Sequence, residues 1–137
     1  MEDELDFKRW EAAIGKLILS CSRVEYELIR LYEKHMPDRE YHSDGYESRF
    51  DKSIGVAKKA LNNGEQIAAM LVEMKKVAFY RHLVAHNPMH YSSDTDTWHI
   101  FDLKINKDSV SLNELSQLSM SVDKLSSCLA TELRINV

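Results

Sequence analysis

The chain has 137 residues, only 4 glycines and 2 prolines, and a net charge of −4 at neutral pH. This length suffices for one domain with one hydrophobic core, and no stretch rich in proline, glycine or serine divides it. Because acidic groups outnumber basic ones, a generally basic nucleic-acid-binding protein is excluded. A nucleic-acid partner would have to be held by a local patch.

The sequence predicts a soluble, cytoplasmic protein with no membrane attachment. Cys21 and Cys128 lie far apart and form no CxxC pair, which is typical of buried thiols in a reducing compartment. The acidic start, Met1 to Asp6, lacks the apolar core of a signal peptide. No apolar run approaches the roughly 20 residues that cross a bilayer.

The chain opens with a long amphipathic segment, from about Asp6 to His35, which Pro37 ends. Its apolar residues follow one another at spacings of three and four, the pattern of one helical seam: Phe7, Trp10, Ile14, Leu17, Cys21, Val24, Leu28 and Leu31. A helix of about 30 residues is roughly 45 Å long, more than a small bundle needs. We therefore expect its end to contact a second subunit.

Two further helices are predicted, from about Tyr46 to Leu61 and from Glu65 to about Asn87. Between them, Asn63 or Gly64 suits the left-handed residue that follows a helix. The third helix is apolar on most sides, which indicates cover by its own bundle and by a partner chain. Within it, Arg81 stands where the three-four pattern calls for an apolar residue.

After Pro88 the apolar period changes from helical to alternating. Phe101, Leu103 and Ile105 alternate with polar residues, and the stretch from Asn106 to Ser109 has turn chemistry. These features predict a β-hairpin, preceded by a mobile loop at residues 92–97.

A fourth helix is predicted to begin near Ser111 or Asn113, because Ser111 and Glu114 have the capping-box spacing. Its leucines and its valine again follow one another at spacings of three and four residues. The predicted fold is therefore mainly α: one domain over residues 1–137, a four-helix bundle of the up-down type, with a small β-hairpin between the third and fourth helices.

The end of the third helix places Arg81 and His86 five residues apart. RNA is cut without metal when its 2′-hydroxyl attacks the adjacent phosphate. That reaction needs a group to take the hydroxyl proton and a group to protonate the leaving oxygen, and histidine suits both tasks. A guanidinium can bind two phosphoryl oxygens in a fixed fork. Arg81 and His86 are therefore the candidate catalytic residues.

Helix geometry complicates this pairing. Five positions put Arg81 and His86 about 140° apart, so they do not share a face of one ideal helix. A symmetric dimer overcomes this, because each protomer then presents both groups to one cleft. His82, four residues before His86, shares its face. We expect His82, Asn87 and Lys75 to position the substrate.

The run from Arg81 to His86 resembles the R-x4-H motif of the HEPN superfamily, in which a polar residue such as His82 often follows the arginine. The resemblance implies a four- to five-helix bundle and a metal-independent ribonuclease, with no cofactor, from a toxin–antitoxin or antiviral defence system. It also implies a homodimer with a composite site, RNA as substrate and a cognate antitoxin protein as partner. In one subgroup the motif continues as H-x-Y, where this chain has Pro88.

Other interpretations of the same residues stay open. Arg81 can pair with Glu25 or Glu27 of the first helix, with His86 capping its own helix. The protein would then be a non-catalytic helical dimer that binds a partner protein or a nucleotide, which the acidic charge favours. His82 and His86 also have two-ligand spacing for zinc, with a third ligand among His42, His90 and His99.

Overall fold

The structure, a computed structural model, describes residues 2–136, with side chains from residue 6 onward. Within them the chain is mainly helical, with four α-helices and a small three-stranded antiparallel sheet before the last helix. In chain order the elements are α1 (Glu2–His35), a short 3-10 helix (Tyr41–Ser43), α2 (Tyr46–Ala60), α3 (Gly64–His86), β1 (Met89–Ser92), β2 (Thr97–Asp102), β3 (Lys107–Ser111) and α4 (Leu112–Ile135). The prediction of four helices is confirmed.

Local chemistry explains where the helices begin and end. Asn63 has the positive φ of 56° that separates α2 from α3. Gly64 beside it is required for a different reason, because a Cβ there would lie 2.0 Å from the carbonyl oxygen of Ala57. At the start of α4, the Ser111 hydroxyl accepts the N–H of Glu114 at 3.2 Å, as the capping pattern predicts.

The hydrophobic core lies between the helices, with α1 packed along α4 and α2 against α3. Most of the predicted α1 seam is buried: Trp10, Leu17, Cys21, Val24, Leu28 and Leu31. From α4 the buried residues are Leu112, Leu115, Val122, Leu129 and Leu133. Truncating any one of these leucines to alanine is expected to cost about 2–5 kcal/mol. Phe7, which the seam pattern places inside, is exposed.

The β-region differs from the predicted single hairpin. Three strands form one sheet in the order β1-β2-β3. The first strand, Met89–Ser92, alternates apolar and polar residues over only four positions, which is too short to predict a strand. It forms through backbone pairing with β2 and a contact between the rings of Tyr91 and Trp98 at 5.6 Å. The predicted mobile loop is therefore wrong in extent, because Ser92 and Thr97 are paired and only residues 93–96 turn.

The second turn also lies earlier than predicted. The alternating pattern placed Leu103 and Ile105 in a strand, but both are exposed residues in the turn between β2 and β3. Asn106 closes this turn with a φ of 56°. The position of the turn is therefore set by the left-handed backbone at Asn106. The apolar alternation of the sequence does not set it.

None of the helices described is both long enough and apolar enough to cross a membrane.

Candidate functional site: a cleft beside α3

A cleft of about 310 Å³ runs along the C-terminal half of α3, against α1 and the start of α2. Its lining is Ile18, Tyr46, Glu47, Ala78, Arg81, His82, Ala85 and His86. Arg81, His82 and His86 therefore lie in the wall of one cleft within a single chain.

The cleft spans the arc of α3 that separates Arg81 from His86. On an ideal helix, His86 lies about 140° around the axis from Arg81. Ala85 and Ala78 lie between these two residues, about 40° and 60° from Arg81. Because these two side chains are small, they leave open space between the guanidinium and the imidazoles. A dimer is thus not needed to bring Arg81 and His86 to the same cleft.

Arg81 faces α1 and α2. Its Nη2 lies 3.8 Å from Oε2 of Glu25, and its guanidinium lies 5.7 Å from the ring centre of Tyr46. The Arg81 side chain is 38% exposed, while its Nε is buried and has no hydrogen-bond partner. The ion pair with Glu25 is longer than a hydrogen bond, so Arg81 keeps donors free for a ligand in the cleft.

Glu25 is shared with a second arginine. Its Oε1 accepts hydrogen bonds from the Tyr41 hydroxyl at 3.1 Å and from Nη1 of Arg49 at 3.2 Å. Arg49 also lies over the Tyr41 ring, 4.2 Å from its centre. Glu25 is therefore held in place by hydrogen bonds from α2 and from the loop before it. Its interaction with Arg81 is longer than these bonds and therefore weaker.

Tyr46 lines the cleft, Cys21 is buried in the core next to it, and both stay protonated at neutral pH. Burial raises the pKa of the Tyr46 hydroxyl well above its usual range, and the negative charge of Glu25 raises it further. Burial likewise raises the pKa of the Cys21 thiol, which Arg81 offsets in part. Neither group supplies an anion for proton transfer at neutral pH, so the histidines remain the candidates.

His82 and His86 are exposed and adjacent. Their ring centres are 4.6 Å apart, with the ring planes tilted by 50°. An imidazole has one ring nitrogen that can accept a proton and one that can donate a proton, so this pair is the candidate for general acid/base chemistry in the cleft.

Asn87 does not line the cleft. Its amide donates to the carbonyl oxygen of Leu83 at 2.9 Å, and its Oδ1 accepts the N–H of Leu103 at 2.9 Å. The side chain predicted to position the substrate thus caps the end of α3 and connects it to the turn between β2 and β3.

Lys75 lies next to the cleft. It forms an ion pair of 2.8 Å with Asp51 and lines a neighbouring hollow of about 600 Å³. The hollow shares Glu47, Ala78 and His82 with the cleft, so the two form one continuous depression along α3.

Among the side chains described, no three His, Cys, Asp or Glu groups converge in a way that suits a metal ion. His90 and His99 pair with each other across β1 and β2, and His42 contacts Glu40 in the loop after α1. The zinc interpretation of His82 and His86 therefore gains no third ligand from the predicted candidates.

Several cleft residues escaped the sequence analysis: Ile18, Tyr46, Glu47, Ala78 and Ala85. They come from three helices, and only the packing of α1 and α2 on α3 brings them together.

Comparisons of the chain with protein families, with curated proteins and with solved structures found no match.

Proposed function

We propose that the protein is a metal-independent endoribonuclease of the HEPN type, acting as a homodimer in the cytoplasm. The observation that supports this most is the placement of Arg81, His82 and His86 in the wall of one cleft. Arg81 is also the group whose buried Nε has no partner of its own. A phosphate oxygen in the cleft would contact the exposed part of the guanidinium, and the side chain as a whole is 38% exposed.

In the proposed reaction, the 2′-hydroxyl of the RNA attacks the adjacent phosphorus and the bond to the 5′-oxygen breaks. His86 takes the 2′-hydroxyl proton, and a protonated histidine, the second protomer's copy of the same residue, gives a proton to the leaving 5′-oxygen. Arg81 stabilises the charge on the phosphoryl oxygens. The products are a 2′,3′-cyclic phosphate and a 5′-hydroxyl, and His82 and Lys75 position the strand.

An exposed apolar line on α3 supports the dimer. Val72 and Phe79 precede His86 at intervals of seven residues, so all three lie on one stripe of the helix. Phe79 is 57% exposed, which is unfavourable for an aromatic ring in solvent. We propose that two copies of α3 meet along this stripe, within an up-down bundle, and that a cognate antitoxin protein restrains the enzyme.

The test is cleavage of RNA by the purified protein in EDTA. Arg81→Ala and His86→Ala are expected to lower the rate by about 10²-fold or more. Arg23→Ala is the matched control. Arg23 forms an exposed ion pair with Asp123, and both residues are distant in sequence from the motif. Equal cleavage by the wild type and the two motif variants would refute the proposal.

The second candidate is a non-catalytic helical dimer that binds a partner protein or a nucleotide. The ion pair of Arg81 with Glu25, and its position over Tyr46, favour this function because they give the arginine a structural task. It predicts no cleavage by the wild type, together with a lower melting temperature or weaker dimer for Arg81→Ala.

A further inference from the structure

A second cavity, of about 480 Å³, lies where the end of α1, the following loop and one side of α2 meet. Its lining is His35, Met36, Pro37, Asp38, Arg39, Lys52, Gly55, Val56 and Lys59. None of these residues lines the cleft beside α3. Its volume is in the range of small-molecule sites in proteins.

Cations dominate this cavity. Arg39 donates to Asp44 through Nε at 2.9 Å and Nη2 at 3.1 Å, and Lys52 donates to the same carboxylate at 3.1 Å. One buried carboxylate thus serves two cations. Lys59 has no ion-pair partner among the side chains described. The three cationic residues therefore outnumber the two acidic residues, Asp38 and Asp44.

His35 contributes an unsatisfied polar atom. Its Nε2 is buried and has no hydrogen-bond partner, although the residue lies in the cavity wall. Buried ring nitrogens in folded proteins are nearly always hydrogen-bonded, since leaving one unpaired is unfavourable. The atom has almost no exposed surface, so a ligand in the cavity does not reach it, and His35 contributes only to the cavity wall.

Gly55 lies inside α2, where glycine is a poor helix former. A Cβ built on Gly55 meets no atom within 4 Å, so no neighbouring residue requires a glycine there. The space above it belongs to the cavity. The missing side chain therefore keeps the cavity open.

We propose that this cavity binds a small phosphate ester. The phosphate oxygens accept from Arg39, Lys52 and Lys59, since a tetrahedral dianion offers enough acceptors for several donors. The organic part of the ester packs over Gly55 against the apolar wall of Met36, Pro37 and Val56. This site is separate from the proposed ribonuclease site and does not depend on it.

The proposal is tested by isothermal titration of the full chain with phenyl phosphate, inorganic phosphate and a 5′-phosphorylated RNA pentamer. Phenyl phosphate is expected to bind about tenfold or more tightly than inorganic phosphate, because only the ester fills the apolar wall. No binding of phenyl phosphate, or equal binding of the two phosphates, overturns the proposal. Pentamer binding that is tighter than phenyl phosphate binding and is lost in Gly55→Leu also overturns it, in favour of a nucleic-acid contact at this cavity.

Two variants locate the binding. Gly55→Leu fills the cavity and is expected to weaken phenyl phosphate binding about tenfold or more. Gly15→Leu is its control, because a Cβ on that α1 glycine also meets no atom within 4 Å and lies outside the cavity lining. Lys59→Gln is expected to weaken binding without filling the cavity, whereas Lys58→Gln, next to it but outside the lining, leaves binding unchanged. Unchanged binding in Gly55→Leu and Lys59→Gln overturns the proposal.

Discussion

The guanidinium of Arg81 lies 3.8 Å from the carboxylate of Glu25, which links the α3 cleft to α1. The same carboxylate accepts a shorter hydrogen bond, of 3.2 Å, from Arg49. A charge placed in a helix seam is costly unless it meets an opposite charge or a ligand. Glu25 meets this need only in part, so Arg81 is oriented toward the cleft and still able to bind an anion.

Glu25→Gln should therefore weaken both the fold and the site. We expect the free energy of unfolding to fall by about 1–3 kcal/mol, because two arginines lose their shared carboxylate. RNA cleavage should fall less than in Arg81→Ala, since the guanidinium remains but is less well oriented. Urea denaturation and cleavage rates measure the two effects.

Glu27→Gln is the control for that variant. Glu27 is buried and binds Arg134 at 3.2 Å, away from the cleft lining. It should lower stability while leaving cleavage unchanged. If both variants changed cleavage equally, a specific link between Glu25 and Arg81 would be excluded.

The helices could be predicted from the sequence because their signals are local. Spacings of three and four, the break at Pro37 and the cap at Ser111 place each helix to within a few residues. The sheet was predicted only in part. β1 is only four residues long, too short for its alternation to be a signal, and it depends on pairing with β2. The second turn depends on the left-handed Asn106.

The candidate site shows the same limit. Arg81, His82 and His86 could be found because they are close in sequence. Charge alone gave Glu25 or Glu27 as the partner of Arg81, and only the packing of α1 on α3 selects Glu25. The contribution of Tyr46 depends on how α2 packs on α3, which no local pattern encodes. Asn87 has the right chemistry for a phosphate, but its side chain already bonds Leu83 and Leu103.

Ala85→Leu should close the cleft without disturbing the core. Ala85 is exposed and lies between Arg81 and His86 in the lining, so a larger side chain there would obstruct a phosphate. Stability should change by no more than about 0.5 kcal/mol, because the site is on the surface. Cleavage should fall strongly, as measured on a labelled oligoribonucleotide.

The control is Ala69→Leu, an equivalent change at an exposed α3 position outside the cleft. Its cleavage rate should match the wild type. Full activity in Ala85→Leu would show that RNA does not use the space between Arg81 and His86.

Asn87→Ala should loosen the connection between α3 and the sheet. It removes hydrogen bonds to the Leu83 carbonyl and from the Leu103 N–H, so we expect a loss of about 1–3 kcal/mol in unfolding free energy. Amide exchange at Leu103 should become faster. Asn113→Ala, which removes one exposed contact with Arg9, should cost less. Unchanged exchange at Leu103 would contradict the structural role of Asn87.

Asp44 should make the fold sensitive to acid. Hydrogen bonds from Arg39 and then from the Tyr32 hydroxyl, with Lys52 beside them, hold the pKa of this carboxyl well below its usual range. In the unfolded chain the pKa returns to about 3.9. The stabilisation is therefore fully present above about pH 4 and is lost as pH falls toward the lowered folded-state pKa.

Urea denaturation at a series of pH values, from 7 down to about 2, measures this loss. Asp44→Asn should be less stable than the wild type at neutral pH, and its stability should fall less steeply below about pH 4. Asp123→Asn is the control, because that carboxylate lies in a far more exposed pair with Arg23. If the Asp44→Asn and wild-type curves ran parallel below pH 4, the hydrogen bonds to Asp44 would not be the source of the acid sensitivity, and another carboxylate would have to supply it.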